Sequence, residues 1–262
     1  MKKRTDFGVV VLILLAASGT MLLFDLKPLW GGLLAMLVPA LYLSIRSPKP
    51  WKAILGASIT LGFLLGFFFD FIQSYNLAWS VDRLVIPWKV LGIMPIDNAI
   101  GYFLMTLFTL VFYEHFFAQR DVVHLPKRFY KVTALVASIL IATLGVAIVD
   151  ISLLTIPYTY AVGGVAAVVL TMIAAVRHLE LLNALTGTSL FFFFAWFLVE
   201  LVAVATGGWS YPGSQYLGWV SIGDIRFPIE ELLFWMIWYA PFLVLGYEYL
   251  IRNKTRSESS AT

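Results

Sequence analysis

Long apolar runs constrain this chain more than any other feature of its sequence. A helix needs about 20 consecutive apolar residues to cross a bilayer core. We therefore predict eight membrane-spanning helices, near residues 7–24, 29–45, 52–72, 95–117, 130–149, 157–176, 187–205 and 228–250. The second run is short and the sixth begins next to Pro157, so seven helices are the alternative. Charged residues make up only 13% of the chain, against about a quarter in soluble domains. The predicted fold class is an all-α, polytopic membrane helix bundle.

The basic residues are unevenly divided between the two sides of such a bundle. With the N-terminus inside, fourteen of the 18 Lys and Arg residues lie on the cytoplasmic side, and the outer side receives Lys27, Arg83, Lys89 and Arg226. Because cytoplasmic loops are enriched in Lys and Arg, we predict a multi-pass protein of the cell membrane with both termini in the cytoplasm. The net charge of +3 then reflects topology, and we expect no nucleic-acid partner.

The two halves of the chain carry similar residues in the same order. We predict two tandem four-helix repeats, 1–128 and 129–252, followed by a disordered cytoplasmic tail at 253–262. Four helices per repeat give both repeats the same orientation, so an axis along the membrane normal relates them. The matched pairs are Asp25 with Asp150, Arg46 with Arg177, Asp70 with Glu200, Trp79-Ser80 with Trp209-Ser210, Asp97-Asn98 with Glu230-Glu231, and Tyr113-Glu114 with Tyr247-Glu248.

Two adjacent acids, Glu230 and Glu231, open the last apolar run directly after Pro228. Acids in the first turn complement the helix dipole, which gives them a purely structural reason to be there. Acids close to lipid are also functional candidates, and a carboxyl group removed from water can keep a proton and act as a general acid. We favour Glu230 as the donor because Asp97 matches it in the first repeat. Glu231, matched by Asn98, is then its partner.

Aromatic residues flank the acid pair in both repeats. Ring faces stabilise positive charge, so Trp79, Trp209 and Trp235 are candidate walls of a pocket, and Tyr211 lies close to them in sequence. Interfacial belts give an alternative reason for tryptophans at helix ends.

Two further acids, Asp70 and Glu200, end their apolar runs on the outer side. We predict that they pair with Arg83 and Arg226. The alternative is that they line the pocket as secondary acids or bases.

Motifs for cofactors and metals are missing from the sequence. Cysteine is absent, and the three histidines have no ligand spacing. Neither a glycine-rich nucleotide loop nor an Asp-rich diphosphate motif occurs. We therefore expect no cofactor and no metal, and redox-neutral chemistry on a lipid-soluble molecule.

Taken together, these residues give a chain that resembles the membrane-integral lycopene cyclase family, which includes the heterodimeric bacterial carotenoid cyclases and the fused archaeal and fungal forms. The family's hallmark is a Pro-x-Glu-Glu/Asp tetrad opening a late helix of each repeat. Residues 228–235 (Pro-Ile-Glu-Glu-Leu-Leu-Phe-Trp) and 207–211 (Gly-Gly-Trp-Ser-Tyr) fit this pattern. Residues 95–98 (Pro-Ile-Asp-Asn) depart from it, because an amide replaces the second acid.

The resemblance implies cyclisation of a linear carotenoid such as lycopene without a cofactor. An acid protonates the terminal double bond, an internal double bond attacks the tertiary cation, and a ring proton is lost. It implies Glu230 as the acid, Glu231 as its assistant and Asp97 as a candidate second-site acid or base. The implied substrate-binding residues are Pro228, Trp209, Tyr211, Trp235, Asn98 and Trp79.

Other functions fit the same residues. Water could quench the cation, which gives a hydratase, or the chain could bind isoprenoid pigment without converting it. A proton-coupled transporter is a third alternative, although Gly/Pro-broken midplane helices are not evident. The expected partners are a lipophilic carotenoid such as lycopene, membrane lipids and enzymes of the carotenoid pathway.

Overall fold

Eight helices build the protein in the computed structural model, which describes residues 2–252. All eight are long and apolar enough to cross a membrane, as predicted, and eight replaces the seven-helix alternative. The predicted tail at 253–262 lies outside the described residues. The helices are α1 (Lys2–Phe24), α2 (Pro28–Arg46), α3 (Trp51–Tyr75), α4 (Ile96–Ala118), α5 (Lys127–Leu154), α6 (Thr159–Arg177), α7 (Leu179–Ala205) and α8 (Glu231–Ile251).

Helix ends differ from the predicted ones where polar residues interrupt an apolar run. Helix α7 starts at Leu179 and not at 187 as predicted. Its first turns are helical but contain the polar residues Glu180 and Asn183, so they do not belong to a continuous apolar run. Helix α5 runs beyond 149 through a 3₁₀ turn, in which the Asp150 carboxylate accepts a hydrogen bond from the Ser152 N–H (3.0 Å).

Irregular helical turns occur at the start of α8. Residues Glu231–Met236 form a π-helical segment, which corresponds to one extra residue inserted into an α-helix. Pro241 lies further along α8 and cannot donate to the carbonyl of Ile237. The Ser189 hydroxyl of α7 donates to that carbonyl instead (2.7 Å). The Ile237 carbonyl therefore keeps a hydrogen bond although the proline has no N–H group.

Short antiparallel ribbons connect the helices at one end of the bundle, in addition to the predicted all-α architecture. The strands are β1 (Ser80–Val81), β2 (Lys89–Val90), β3 (Met94–Pro95), β4 (Trp209–Ser210), β5 (Trp219–Ile222) and β6 (Ile225–Pro228), paired β1–β4, β2–β3 and β5–β6. The β1–β4 pair places Ser80 opposite Ser210 and joins the α3–α4 loop to the α7–α8 loop. The β5–β6 hairpin turns at Gly223, whose φ of 58° suits glycine.

Helices α4 and α8 lie at the centre of the bundle, while α5 is the most peripheral. Buried residues make up 67% of the apolar window of α4 but only 11% of that of α5. Gly62 and Gly66 of α3 allow close packing on α4, because a Cβ at either position would lie 2.7 Å from Tyr102.

A reciprocal clamp joins α4 and α8 at the end of the bundle that contains both termini of the described chain. The Tyr113 hydroxyl donates to Glu248 (2.9 Å), and the Tyr247 hydroxyl donates to Glu114 (2.8 Å). The Arg120 guanidinium pairs with both carboxylates, at 2.7 Å and 2.6 Å. Both carboxylates are buried, so the arginine supplies the charge that they need away from water.

Candidate functional site

A cavity opens among α2, α3, α4, α6, α7 and α8 at the ribbon end of the bundle. Its free space is about 1130 Å³, including the open mouth. The walls are mainly apolar and aromatic. The large aromatic residues that line it are Phe69, Trp79, Tyr102, Tyr160, Trp196, Trp209, Tyr211, Trp235 and Tyr239.

Glu231 lines this cavity at the first turn of α8. Its Oε1 atom lies within hydrogen-bonding distance of the hydroxyl of Tyr160 on α6 and of the hydroxyl of Tyr211 in the loop before β5 (2.9 Å for Tyr211). The ring of Trp235, one turn further along α8, stacks on Tyr160 with 5.8 Å between centroids. The carboxyl group is therefore fixed beside two aromatic faces.

Tyr211 links Glu231 to a second carboxyl group. Its hydroxyl oxygen lies 2.6 Å from Oε1 of Glu200 and 2.9 Å from Oε1 of Glu231. The Trp209 indole donates to the other oxygen of Glu200 (3.2 Å). Glu200, on α7, is 5% exposed and also lines the cavity.

The hydroxyl of Tyr211 has one hydrogen for two carboxyl oxygens. Burial and the nearby Glu200 carboxyl raise the pKa of Tyr211 well above its ordinary value, so this residue keeps its own proton. Both short contacts are hydrogen bonds only if one of the two carboxyl groups carries a further proton. The Glu200–Tyr211–Glu231 chain thus has the geometry to store and transfer one proton.

Glu230, the predicted proton donor, lies outside the cavity wall. It is fully buried, and its Oε1 accepts a hydrogen bond from the Leu217 N–H (2.6 Å). The adjacent Ile229 N–H donates to the Gly218 carbonyl (3.0 Å). Consecutive helical residues point about 100° apart, so Glu230 anchors the 211–218 loop while Glu231 faces the cavity.

Asp97 has a comparable loop contact at the start of α4. Its two carboxylate oxygens accept hydrogen bonds from the backbone N–H groups of Val85 (2.6 Å) and Ile86 (3.0 Å). Asp97 also borders the cavity. Both of its oxygens are nevertheless occupied by the loop, unlike those of Glu231.

Asn98 lines the cavity next to Asp97 and binds a buried acid. Its amide donates to the Asp70 carboxyl (2.8 Å), and Asp70 is fully buried. The side chains of Trp79 and Tyr102 lie beside the same carboxyl group. Asp70 therefore contacts an amide, whereas Glu200 is connected through Tyr211 to a second carboxyl group, that of Glu231.

The predicted pairing of Asp70 and Glu200 with Arg83 and Arg226 is wrong. Arg83 donates to Asp25 (2.8 Å) and to the Thr206 carbonyl (2.8 Å). The Arg226 guanidinium lies 4.3 Å from the centre of the Trp219 ring. Arg83 thus joins its loop to the chain at Asp25 and Thr206, while Arg226 lies over a ring of its own hairpin. The two helix-end acids accept hydrogen bonds from neutral donors instead.

The remaining predicted pocket residues are divided between the cavity and the loops. Trp79 and Trp209 line the cavity, and their rings meet edge to face at 6.0 Å because β1 pairs with β4. Pro228 is buried in β6 opposite Trp219 and is not a cavity-lining residue.

Several cavity residues, among them Tyr160, Gln73 and Trp196, were not predicted from the sequence. Tyr160 is the most consequential, because it donates to Glu231. No spacing rule relates it to the tetrad. The only signal is its place in the first turn of α6, at the same end as the tetrad in an alternating helix topology.

Groups of three or more His, Asp and Glu side chains arranged to bind a metal do not occur within residues 2–252. Comparisons of the chain with protein-family models, with curated proteins and with solved structures found no match in any of the three.

Proposed function

We propose that this chain is a carotenoid end-group cyclase of the lycopene β-cyclase type, with Glu231 as the proton donor. The observation that carries the proposal is the hydrogen-bonded Glu200–Tyr211–Glu231 chain on the wall of an aromatic cavity. The donor role assigned to Glu230 from the sequence passes to Glu231, because only Glu231 lines the cavity. Glu230 becomes a positioning residue for the loop that contains Tyr211.

The proposed reaction is an isomerisation with no net change in protons. Glu231 transfers its proton to the terminal double bond of the linear carotenoid, which leaves a tertiary carbocation. An internal double bond attacks the cation and closes a six-membered ring. A ring carbon then loses a proton to the carboxylate chain, which regains the proton that it gave. The ring isomer depends on which carbon loses the proton.

The cavity walls suit such a cation. The rings of Tyr160, Trp235 and Tyr239 form a continuous aromatic surface beside Glu231, with centroid separations of 5.8 Å and 6.2 Å. Ring faces attract positive charge, more strongly where water is excluded. An apolar lining also limits premature quenching of the cation by bulk water.

Contacts in the two halves support the proposed tandem repeats, 1–128 and 129–252. Asp97 and Glu230 each bind backbone N–H groups of the loop that precedes their helix. Asp70 contacts Asn98 directly, while Glu200 reaches Glu231 through Tyr211.

The clamp at the other end of the bundle has the same symmetry. Tyr113 binds Glu248, and Tyr247 binds Glu114, as expected for a two-fold axis along the membrane normal. The number of residues between matched positions of the two halves is one larger at the clamp (Glu114 and Glu248) than at the tetrads (Asn98 and Glu231). The π-helical segment at the start of α8 supplies that extra residue.

In the proposed repeat, only the second half has a carboxyl group at the position of the proton donor. Asn98 has the place of Glu231 in the first half, and an amide cannot donate a proton to an alkene. If the chain follows the positive-inside rule, the site lies at the outer membrane face and both termini lie in the cytoplasm.

A protein that binds carotenoid without converting it is the second candidate, favoured by the substitution of an amide for the acid.

Expression in a bacterium that accumulates lycopene distinguishes the two candidates. The cyclase produces carotenoids with β-type or isomeric rings, and the Glu231→Gln variant leaves lycopene unchanged. A chain that co-purifies with unaltered lycopene in both forms is a binding protein. An unchanged pigment profile from the wild-type chain, without bound pigment, contradicts both.

A further inference from the structure

Four cavity-lining side chains each have a buried polar atom without a hydrogen-bond partner within the part of the chain that the structure describes: Gln73 (Oε1), Trp196 (Nε1), Trp235 (Nε1) and Tyr239 (hydroxyl). Two of them concern the present inference: Oε1 of Gln73 on α3, which can only accept a hydrogen bond, and Nε1 of Trp235 on α8, which can only donate one. Gln73 is only 3% exposed. A buried polar atom without a partner is costly, so these two atoms indicate where a ligand supplies one.

The surrounding contacts fix both groups. The Gln73 amide nitrogen donates to the Thr159 carbonyl of α6 (3.2 Å), which leaves Oε1 as the unused acceptor. A Cβ at Gly163 would lie 2.9 Å from this nitrogen, so the glycine allows α6 to approach α3 here. The orientation of the amide is thus set by the helix packing.

Trp235 lies on the same side of the cavity as Gln73. Its ring meets that of Phe69 at 6.4 Å, and Phe69 is one turn before Gln73 on α3. The stacked ring of Tyr160 holds the indole from its other side. An acceptor and a donor therefore lie beside Phe69, close to the start of α8.

We propose that Gln73 and Trp235 form a subsite for a hydroxyl oxygen. The oxygen accepts a hydrogen bond from the Trp235 indole and donates one to the Gln73 amide oxygen, a combination that a hydrocarbon cannot supply. The inference rests on the proposed function and narrows its substrate class. The oxygen belongs either to an acyclic carotenoid with a hydroxylated end group or to a water molecule bound near the cation.

The two sources lead to different products. With a hydroxylated substrate, the subsite orients the end group, and the ring closes as described above. With water, the oxygen forms a bond to the tertiary carbocation. One proton of that water then passes to Glu231, which became a carboxylate when it protonated the double bond. The net result is addition of water across the terminal double bond, which gives a tertiary alcohol.

A binding experiment with an inactive chain tests the first source. The full-length Glu231→Gln variant in lipid nanodiscs is titrated with lycopene and with 1-hydroxylycopene, and the carotenoid absorption shift is followed. The hydroxylated compound binds about tenfold more tightly, as expected for one buried hydrogen bond. Adding Gln73→Met or Trp235→Phe removes this preference.

Matched substitutions at exposed positions act as controls. Gln119→Met and Trp88→Phe change the same residue types at exposed positions outside the cavity lining. Both retain the tenfold preference. Loss of the preference in these controls would contradict the subsite, because it would then arise from general effects of the substitutions.

Isotope labelling tests the second source. The active chain is incubated with lycopene in oxygen-18 water, and a labelled tertiary alcohol, reduced about tenfold by Gln73→Met, identifies water as the bound oxygen. If neither a hydroxyl preference nor labelled product is found while lycopene still binds, the subsite is refuted and the proposed function stands. If neither carotenoid binds, the proposed function is refuted together with the subsite.

Discussion

The two adjacent glutamates provide the most discriminating pair of substitutions in the chain. Glu231→Gln keeps the volume and an acceptor oxygen for Tyr160 and Tyr211, but it removes the proton that the reaction needs. Glu230→Gln keeps an amide oxygen that can accept from the Leu217 N–H, which lies 2.6 Å away in the wild type. The two variants are thus nearly isosteric and differ in whether the lost acid faces the cavity.

The expected effects differ by orders of magnitude. General acid catalysis contributes about 10²–10⁴-fold to a rate, so Glu231→Gln lowers the cyclisation rate by at least about 100-fold, or roughly 3 kcal/mol. Glu230→Gln keeps an oxygen that can accept from the Leu217 N–H, so its cost in stability is about 1 kcal/mol, the size of one hydrogen bond. Its rate falls by less than about tenfold.

Initial rates of lycopene consumption by membranes containing equal amounts of folded protein measure both effects. Thermal unfolding in detergent shows whether each variant is folded. If Glu230→Gln abolishes turnover while Glu231→Gln retains most of it, the assignment of the donor from cavity geometry is refuted.

Three further substitutions test the contacts around the site. Tyr211→Phe removes the hydroxyl between Glu200 and Glu231 while keeping the ring, and we expect initial rates to fall about 10- to 100-fold; wild-type rates would exclude a proton chain through this hydroxyl. Asn98→Asp replaces a donor with an acid 2.8 Å from Asp70, and thermal unfolding should show a loss of about 1–3 kcal/mol, whereas unchanged stability would contradict the contact. Arg120→Gln leaves two buried carboxylates without their cation and should cost about 3–5 kcal/mol, while Arg177→Gln, an exposed control, should cost little.

The number of helices and the position of the tetrad at the start of the last helix could be predicted from the sequence. Apolar length is a direct physical requirement of the bilayer, and it identifies eight helices despite the polar start of α7. The acid pair stands out because carboxyl groups near lipid are uncommon. Both signals are local in sequence and do not depend on how the helices pack.

The roles of individual acids could not be predicted in the same way. Whether Glu230 or Glu231 faces the cavity depends on the rotation of α8, which the β6 strand and the π-helical segment at Glu231–Met236 determine. The predicted arginine pairs failed for a similar reason, because Arg83 is closer to Asp25 in space than to Asp70 or Glu200. Tyr160 was missed because its contact with Glu231 joins α6 and α8, and no sequence spacing encodes that packing.

The origin of the proton tests the central claim most directly. Membranes containing the wild-type chain are incubated with unlabelled lycopene in D₂O, and the cyclic products are analysed by mass spectrometry. Transfer from an exchangeable carboxyl group predicts one retained deuterium for each ring, because the proton that leaves comes from another carbon. Cyclic product without deuterium would contradict acid-initiated cyclisation by Glu231.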